Sequence, residues 1–224
     1  MGLFDSDSDN EIDFHIDIDK KQSSIRFTGD ITPKSIHQLK SAFIEIVNAF
    51  KKNDERIIYL EIQSDGGDLF SGSGMFDWLI RYKDQFEFEL HTYAMGLVAS
   101  AGTLLFMAGC QRDMGMNSYV LIHNISSSNG GGEPQHLSIL KQNFRNDSKL
   151  AKNLQKFYET HCKIPPKKLQ KMMDKDMYIG YDKCMKYGIL TEEIKITVDS
   201  ESDEHSGEEK ETQPNKRRKI VRIQ

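Results

Sequence analysis

The sequence predicts an α/β domain in which strands and helices alternate as packed layers. Three observations carry this. Runs rich in β-branched and aromatic residues, such as 56–62 and 118–123, recur along the chain. Segments with apolar residues at three- and four-residue spacing separate them. The 224 residues, 38% of them hydrophobic, suit one domain with a sizeable core plus tails. Pattern alone does not distinguish such a layered sheet from a doubly wound one.

Residues 1–19 hold aspartates and one glutamate but no lysine or arginine, and the first ten are expected to be disordered. Residues 13–19 alternate polar and apolar, which permits a strand. Residues 24–29 read as a strand ending at Gly29. Thr32 and Pro33 then open a helix as N-cap and first helical residue, and Ile36, Leu39, Phe43, Ile46, Val47 and Phe50 follow at helical spacing. Residues 56–62 form a strand ahead of the Gly66-Gly67 turn, and 71–82 a helix with Met75, Leu79 and Tyr82 on one face. Residues 86–94 and 118–123 are further strands, and 100–108 a compact buried helix. Leu137, Leu140, Phe144, Leu150, Leu154, Phe157 and Tyr158 mark a long helix whose other face carries Lys141, Arg145, Lys149 and Lys152. Pro165-Pro166 begins the next helix.

From residue 197 the composition changes. Residues 199–211 contain no apolar side chain and cannot bury a core, and Lys216-Arg217-Arg218-Lys219 follows as a basic cluster. Such clusters serve as nuclear-localisation or nucleic-acid patches, but opposite charges in neighbouring blocks read more simply as a soluble tail. The division expected is an acidic segment 1–19, a domain 20–196 and a charged tail 197–224.

A net charge of −4 implies no general affinity for nucleic acid. No run reaches the roughly 18 apolar residues of a spanning helix, and no signal peptide is expected. Residues 1–6 match the loose myristoylation pattern. Cys110, Cys162 and Cys184 are odd in number and widely spaced, fitting neither a disulfide framework nor a zinc cluster. They read as buried small hydrophobes in a reducing cytosol. No phosphate loop or Walker motif is present, so no cofactor is expected.

The chemistry lies in an order of three residues. Ser100 sits among Gly96, Ala99, Ala101 and Gly102, His123 ends the apolar run 119–122, and Asp176 follows in Asp174-Lys175-Asp176. A hydroxyl is a poor nucleophile at neutral pH; it needs a base to take its proton, and the base needs a partner to fix its tautomer. Imidazole, with an ordinary pKa near 6.5, suits that transfer. A helix beginning at Ser100 aims its free N–H groups and positive dipole end at a developing oxyanion. The remaining histidines, His15, His37, His91, His136, His161 and His205, lie outside any such pattern.

Four segments together resemble the proteolytic subunit of the Clp protease (ClpP) family. Ile57-Ile-Tyr-Leu-Glu-Ile-Gln-Ser-Asp-Gly-Gly67 is similar to its strand and glycine turn, and Ala99-Ser-Ala-Gly102 to its nucleophile turn. Met116-Asn-Ser-Tyr-Val-Leu-Ile-His123 is similar to its histidine strand. Asp176-Met-Tyr178, then Lys183-Cys-Met-Lys-Tyr-Gly-Ile-Leu190, is similar to its acid segment and the short helix after it. The resemblance runs from about Ile25 to Leu190.

It implies the crotonase-like ββα superhelix and a serine endopeptidase acting through Ser100, His123 and Asp176, with Asp174 as the alternative acid. Backbone N–H groups of Gly67 and Ala101 would hold the oxyanion. It further implies heptameric rings, usually stacked in pairs around an inner chamber, which take unfolded polypeptide from a separate AAA+ unfoldase. The acidic N-terminal segment would then line an axial pore. A cytoplasmic protein is expected, or a virion-associated one if the chain is a viral head-maturation protease that cleaves scaffold. The alternatives are a non-catalytic ring subunit or scaffold and, behind it, an acyl-CoA enzyme of the crotonase superfamily. The chain departs from the family where Asp65 and Asp68 flank the glycine pair in place of a proline and an apolar residue. It departs again where Asn124-Ile125 replaces Gln-Pro, ahead of a polar, glycine-rich loop in the region that mates two rings.

Overall fold

The computed structural model describes residues 14–126 and 136–191. The acidic leader before Phe14, most of the glycine-rich loop, and the tail with Lys216–Lys219 lie outside the described residues.

The elements run β1 (Phe14–Asp19), β2 (Ser24–Gly29), α1 (Pro33–Ala49), β3 (Ile57–Ser64), α2 (Leu69–Phe86), β4 (Glu89–Ala99), α3 (Ala101–Met107), β5 (Gln111–Met114), β6 (Tyr119–Ile122), α4 (Leu137–His161), α5 (Pro166–Lys175), β7 (Met177–Ile179) and α6 (Tyr181–Lys186). One seven-stranded sheet orders them β1-β2-β3-β4-β6-β7, with β5 beside the first half of β4. Strands β2, β3 and β4 are parallel and so are the pairings of β4 with β5 and β6, whereas β1 and β7 are antiparallel edges.

This order separates the two architectures that the sequence pattern leaves open. A doubly wound sheet reverses direction at a switch point and carries helices on both faces. Here β2, β3 and β4 succeed one another without reversal, and right-handed crossovers then place α1 and α2 on the same face. Burial agrees. Ile58, Leu60 and Ile62 of β3 and Leu90 and Ala94 of β4 are completely buried on that face, while Tyr59 and Tyr93 on the other are 46% and 38% exposed. The fold is α/β, with helices stacked on one side of a singly wound sheet.

Helix α1 starts where its caps are. The Thr32 hydroxyl accepts from the Ser35 N–H, the Ser35 hydroxyl accepts from the Thr32 N–H, and Pro33 occupies the first turn. Its apolar stripe buries Leu39, Phe43 and Ile46, and Phe43 meets Trp78 of α2 edge-on at 6.0 Å. Each such side chain contributes roughly 1.5–3 kcal/mol of burial.

Two strands fall outside the periodic pattern: β5 is four residues long and β7 three. The cysteines also divide. Cys184 is buried, with its thiol pushed up to about 12 by burial, and Cys162 is intermediate, pushed up to about 11 by burial despite the opposing charge of Arg112. Cys110 is exposed, contrary to its reading as a core residue: it stands just ahead of β5, where its thiol donates to Leu90 O at 3.2 Å rather than packing in the core.

Candidate active site

Strand β4 ends in a sharp reversal at Ser100, the N-cap of α3, with φ 52° and ψ −128°. The sequence predicts Ser100 as the first helical residue; instead it stands just outside the helix, and its side chain does not cap it. Four non-glycine residues among those described have positive φ, and Ser100 and Asp176 are two of them. Such conformations, where serine is unfavoured, persist only when the surroundings over-determine them, and they concentrate at functional sites. The surroundings here are specific. The Ser100 N–H donates to Leu121 O of β6 at 3.0 Å, and Thr103 donates to Ser100 O through its N–H at 3.0 Å and its hydroxyl at 2.6 Å.

The glycine turn lies against this reversal. A Cβ on Gly66 would fall 2.4 Å from Ser100 Cβ, and one on Gly67 would fall 2.3 Å from Ile31 O. Both glycines have positive φ, 106° and 135°. The turn is clamped by Ile31 N–H to Gly66 O at 2.7 Å and Asp68 N–H to Ile31 O at 2.8 Å. Among the described residues neither the Gly67 nor the Ala101 N–H has a backbone acceptor.

His123 follows β6, and the antiparallel pairing of Ile122 with Met177 carries it next to Asp176. Asn124 N–H to Met173 O at 2.8 Å closes the same junction. His123 Nδ1 stands 3.9 Å from Asp176 Oδ1, an ion-pair distance longer than a hydrogen bond, with the histidine side chain 23% exposed and the carboxylate 74%. Asp174 is placed differently: it lies on α5, exposed, accepting from Gln170 Nε2 at 2.9 Å. Gly67, Ser100, Ala101 and His123 all line one cavity of about 380 Å³, which Asp147, Leu150 and Leu154 of α4 close on another side.

The two aspartates beside the glycines separate. Asp68 is the N-cap of α2, its Oδ1 accepting from the Ser71 N–H at 2.7 Å, and it lies on the cavity wall. The helix dipole and this hydrogen bond hold its charge at the α2 terminus. Asp65 is exposed and does not line the cavity. A second cavity of about 460 Å³ adjoins the first, sharing Leu69, Phe70, Leu104, Leu150 and Leu154 and extending to Phe76 and Phe157.

Sequence reasoning passes over Thr103 and Tyr158, which read as core positions. Thr103 has one hydroxyl hydrogen, and it goes to Ser100 O. Tyr158, fully buried on α4, must therefore be the donor in the 2.6 Å contact between the two hydroxyls. Burial pushes the phenol above its ordinary range, despite the opposing effect of Thr103, and keeps it protonated. Removing this donor by Tyr158→Phe is expected to destabilise the fold by about 1–2 kcal/mol in denaturant unfolding. It should also lower kcat severalfold at unchanged KM, since the pair braces the Ser100 carbonyl from the core and neither residue lines the cavity.

The Clp protease family model matches residues 17–197. The chain belongs to the Clp protease family. Among the curated relatives it resembles, the ATP-dependent Clp protease proteolytic subunit of Deinococcus radiodurans is 26% identical over 175 residues, 77% of this chain and 82% of that one. The subunit of the same name from Bdellovibrio bacteriovorus is 29% identical over 140 residues, 62% of this chain and 64% of that one. Proteolytic subunit 2 of Treponema denticola is 28% identical over 172 residues, 76% and 78% of the two chains. This is a divergent member of a peptidase family. Among the described residues no helix is long and apolar enough to cross a membrane.

Proposed function

We propose that the protein is a serine-type endopeptidase that cleaves unfolded polypeptide through an acyl-enzyme on Ser100. The observation that carries this reading is the convergence of Ser100, His123, Gly67 and Ala101 on one cavity, with Asp176 behind the histidine. With Nδ1 on the carboxylate side, Nε2 of His123 is the nitrogen that takes the Ser100 proton. Oγ adds to the scissile carbonyl, and the N–H groups of Gly67 and Ala101 receive the oxyanion. The imidazolium then protonates the departing amine, and water repeats the sequence in reverse to free the acid. Asp176 orients the ring and stabilises its charged form; its 3.9 Å separation tightens when substrate excludes water. The adjoining apolar cavity would take a substrate side chain.

Assembly into rings around a chamber, fed by a separate AAA+ unfoldase, belongs to the same proposal. In support of it, the first turns of α4 leave Leu137 62%, Ile139 50%, Leu140 42% and Phe144 74% exposed, an apolar face that the other described residues do not cover. Phe144→Asp is expected to shift the protein to smaller species in light scattering while leaving helix content by circular dichroism unchanged.

Intact-mass labelling with a fluorophosphonate tests the chemistry. One adduct on the assembled wild type, absent from Ser100→Ala, is the expected result. An assembled ring that takes no adduct overturns the catalytic reading in favour of a ring subunit without activity.

A further inference from the structure

A cluster of donor atoms unlike anything at the proteolytic cavity sits at the opposite end of β4. Glu89 and His91 are two residues apart on that strand and so share a face of the sheet. Cys110 arrives from the start of β5, its N–H on Leu90 O at 2.9 Å and its thiol on the same oxygen at 3.2 Å, which sets it between the other two. Glu89 Oε2 and His91 Nε2 are 3.3 Å apart, and all three donor atoms lie within 4.8 Å of one another. The His91 ring is held edge-on by Tyr59, centroids 5.4 Å apart at 86°. Eleven residues of β4 span roughly 35 Å, so the cluster is remote from Ser100.

We propose that Glu89, His91 and Cys110 form a transition-metal site that binds Zn(II). Donors about 2.0–2.3 Å from a tetrahedral ion lie roughly 3.3–3.8 Å apart. The carboxylate–imidazole separation already has that value, and the Cys110 sulfur lies within 4.8 Å of both donors. One thiolate, one imidazole and one carboxylate form a set suited to Zn(II) or Co(II); Mg(II) and Ca(II) prefer oxygen donors throughout. Three protein ligands leave a fourth position open, and it is reachable: Cys110 is exposed, and the Glu89 and His91 side chains are 46% and 24% exposed. The ion would clip β5, a four-residue strand, to β4. Sequence spacing hides the site because the cysteine stands nineteen residues after the histidine and brings no second cysteine with it.

The test uses the full-length, reduced, tag-free protein, made metal-free and titrated with Co(II). The expected result is the visible spectrum of a four-coordinate ion with a near-ultraviolet thiolate charge-transfer band, both removed by stoichiometric Zn(II). Cys110→Ser should abolish the charge-transfer band while Cys162 and Cys184 remain, and His91→Ala should weaken Zn(II) binding at least tenfold. Zn(II) should raise Tm in the wild type and not in either variant. Should Cys110→Ser fail to fold, Glu89→Gln keeps the test open, with at least a tenfold loss of Zn(II) affinity expected. No stoichiometric Zn(II) binding by the wild type overturns the proposal. So does any folded variant of the three that binds Zn(II) as tightly as the wild type. Fluorophosphonate labelling of Ser100 is expected to be the same with and without Zn(II), so the two proposals stand or fall separately.

Discussion

Ser100→Ala is expected to lower peptide hydrolysis about 10⁴- to 10⁶-fold and to leave the fold intact. The change removes one oxygen. That oxygen caps no helix, while the bonds that shape the turn run through the Ser100 backbone: its N–H to Leu121 and its carbonyl to Thr103. Alanine keeps the Cβ already accommodated beside Gly66, so stability should stay within about 0.5 kcal/mol, the range of substitutions that disturb no such feature. His123→Ala should cost a comparable factor. The double variant should be no worse than Ser100→Ala alone, because residues that act as one unit lose their effect together. Multiplying losses would mean that the two side chains act independently, and Ser100→Ala activity within tenfold of wild type would remove Ser100 from the chemistry. Asp176→Asn should cost less than either, since its carboxylate is largely solvated and 3.9 Å from the ring.

The elements that could be read from the sequence are those whose own periodicity fixes them. Helix α1 announces itself through Thr32, Pro33 and a stripe from Ile36 to Val47, and β3 through a β-branched run. Strand β5 does not, because Gln-Arg-Asp-Met has neither alternation nor β-branching. It exists because β4 offers a partner and because Arg112 ties it to the carbonyls of Gly109, Gly188 and Ile189. The candidate site divides in the same way. Ser100, His123 and Asp176 stand out by residue type and order, and the register of β6 on β7 singles out Asp176 over Asp174 as the carboxylate beside His123. Thr103 and Tyr158 do not stand out, since a buried hydroxyl in an apolar helix looks like filler until its partner, 55 residues away, is known. Glu89, His91 and Cys110 are hidden for the same reason: only strand pairing brings them together.

Gly67→Ala is expected to lower kcat by roughly 10² to 10³ and to destabilise the fold by about 1–3 kcal/mol. The new Cβ would meet Ile31 O at 2.3 Å and Ile31 C and N at 3.0 Å, all backbone atoms, so no side-chain rotation relieves the contact. A φ of 135° adds strain of its own for an L-residue. Relief requires the turn to move away from Ile31, which breaks the clamp formed by Gly66 O and the Asp68 N–H. The N–H assigned to the oxyanion then moves with it, and so does the Asp68 cap of α2. An oxyanion donor acts mainly in the transition state, so kcat should fall far more than KM rises on a short chromogenic peptide. Fluorophosphonate labelling of Ser100 should slow but still reach completion, because nucleophile and base are untouched. Asp65→Ala, two residues away but exposed and off the cavity wall, should change neither kcat nor stability appreciably. If Gly67→Ala lost stability but kept kcat within about threefold, Gly67 would be a structural glycine only, and the oxyanion would have to rest on Ala101 and some other donor.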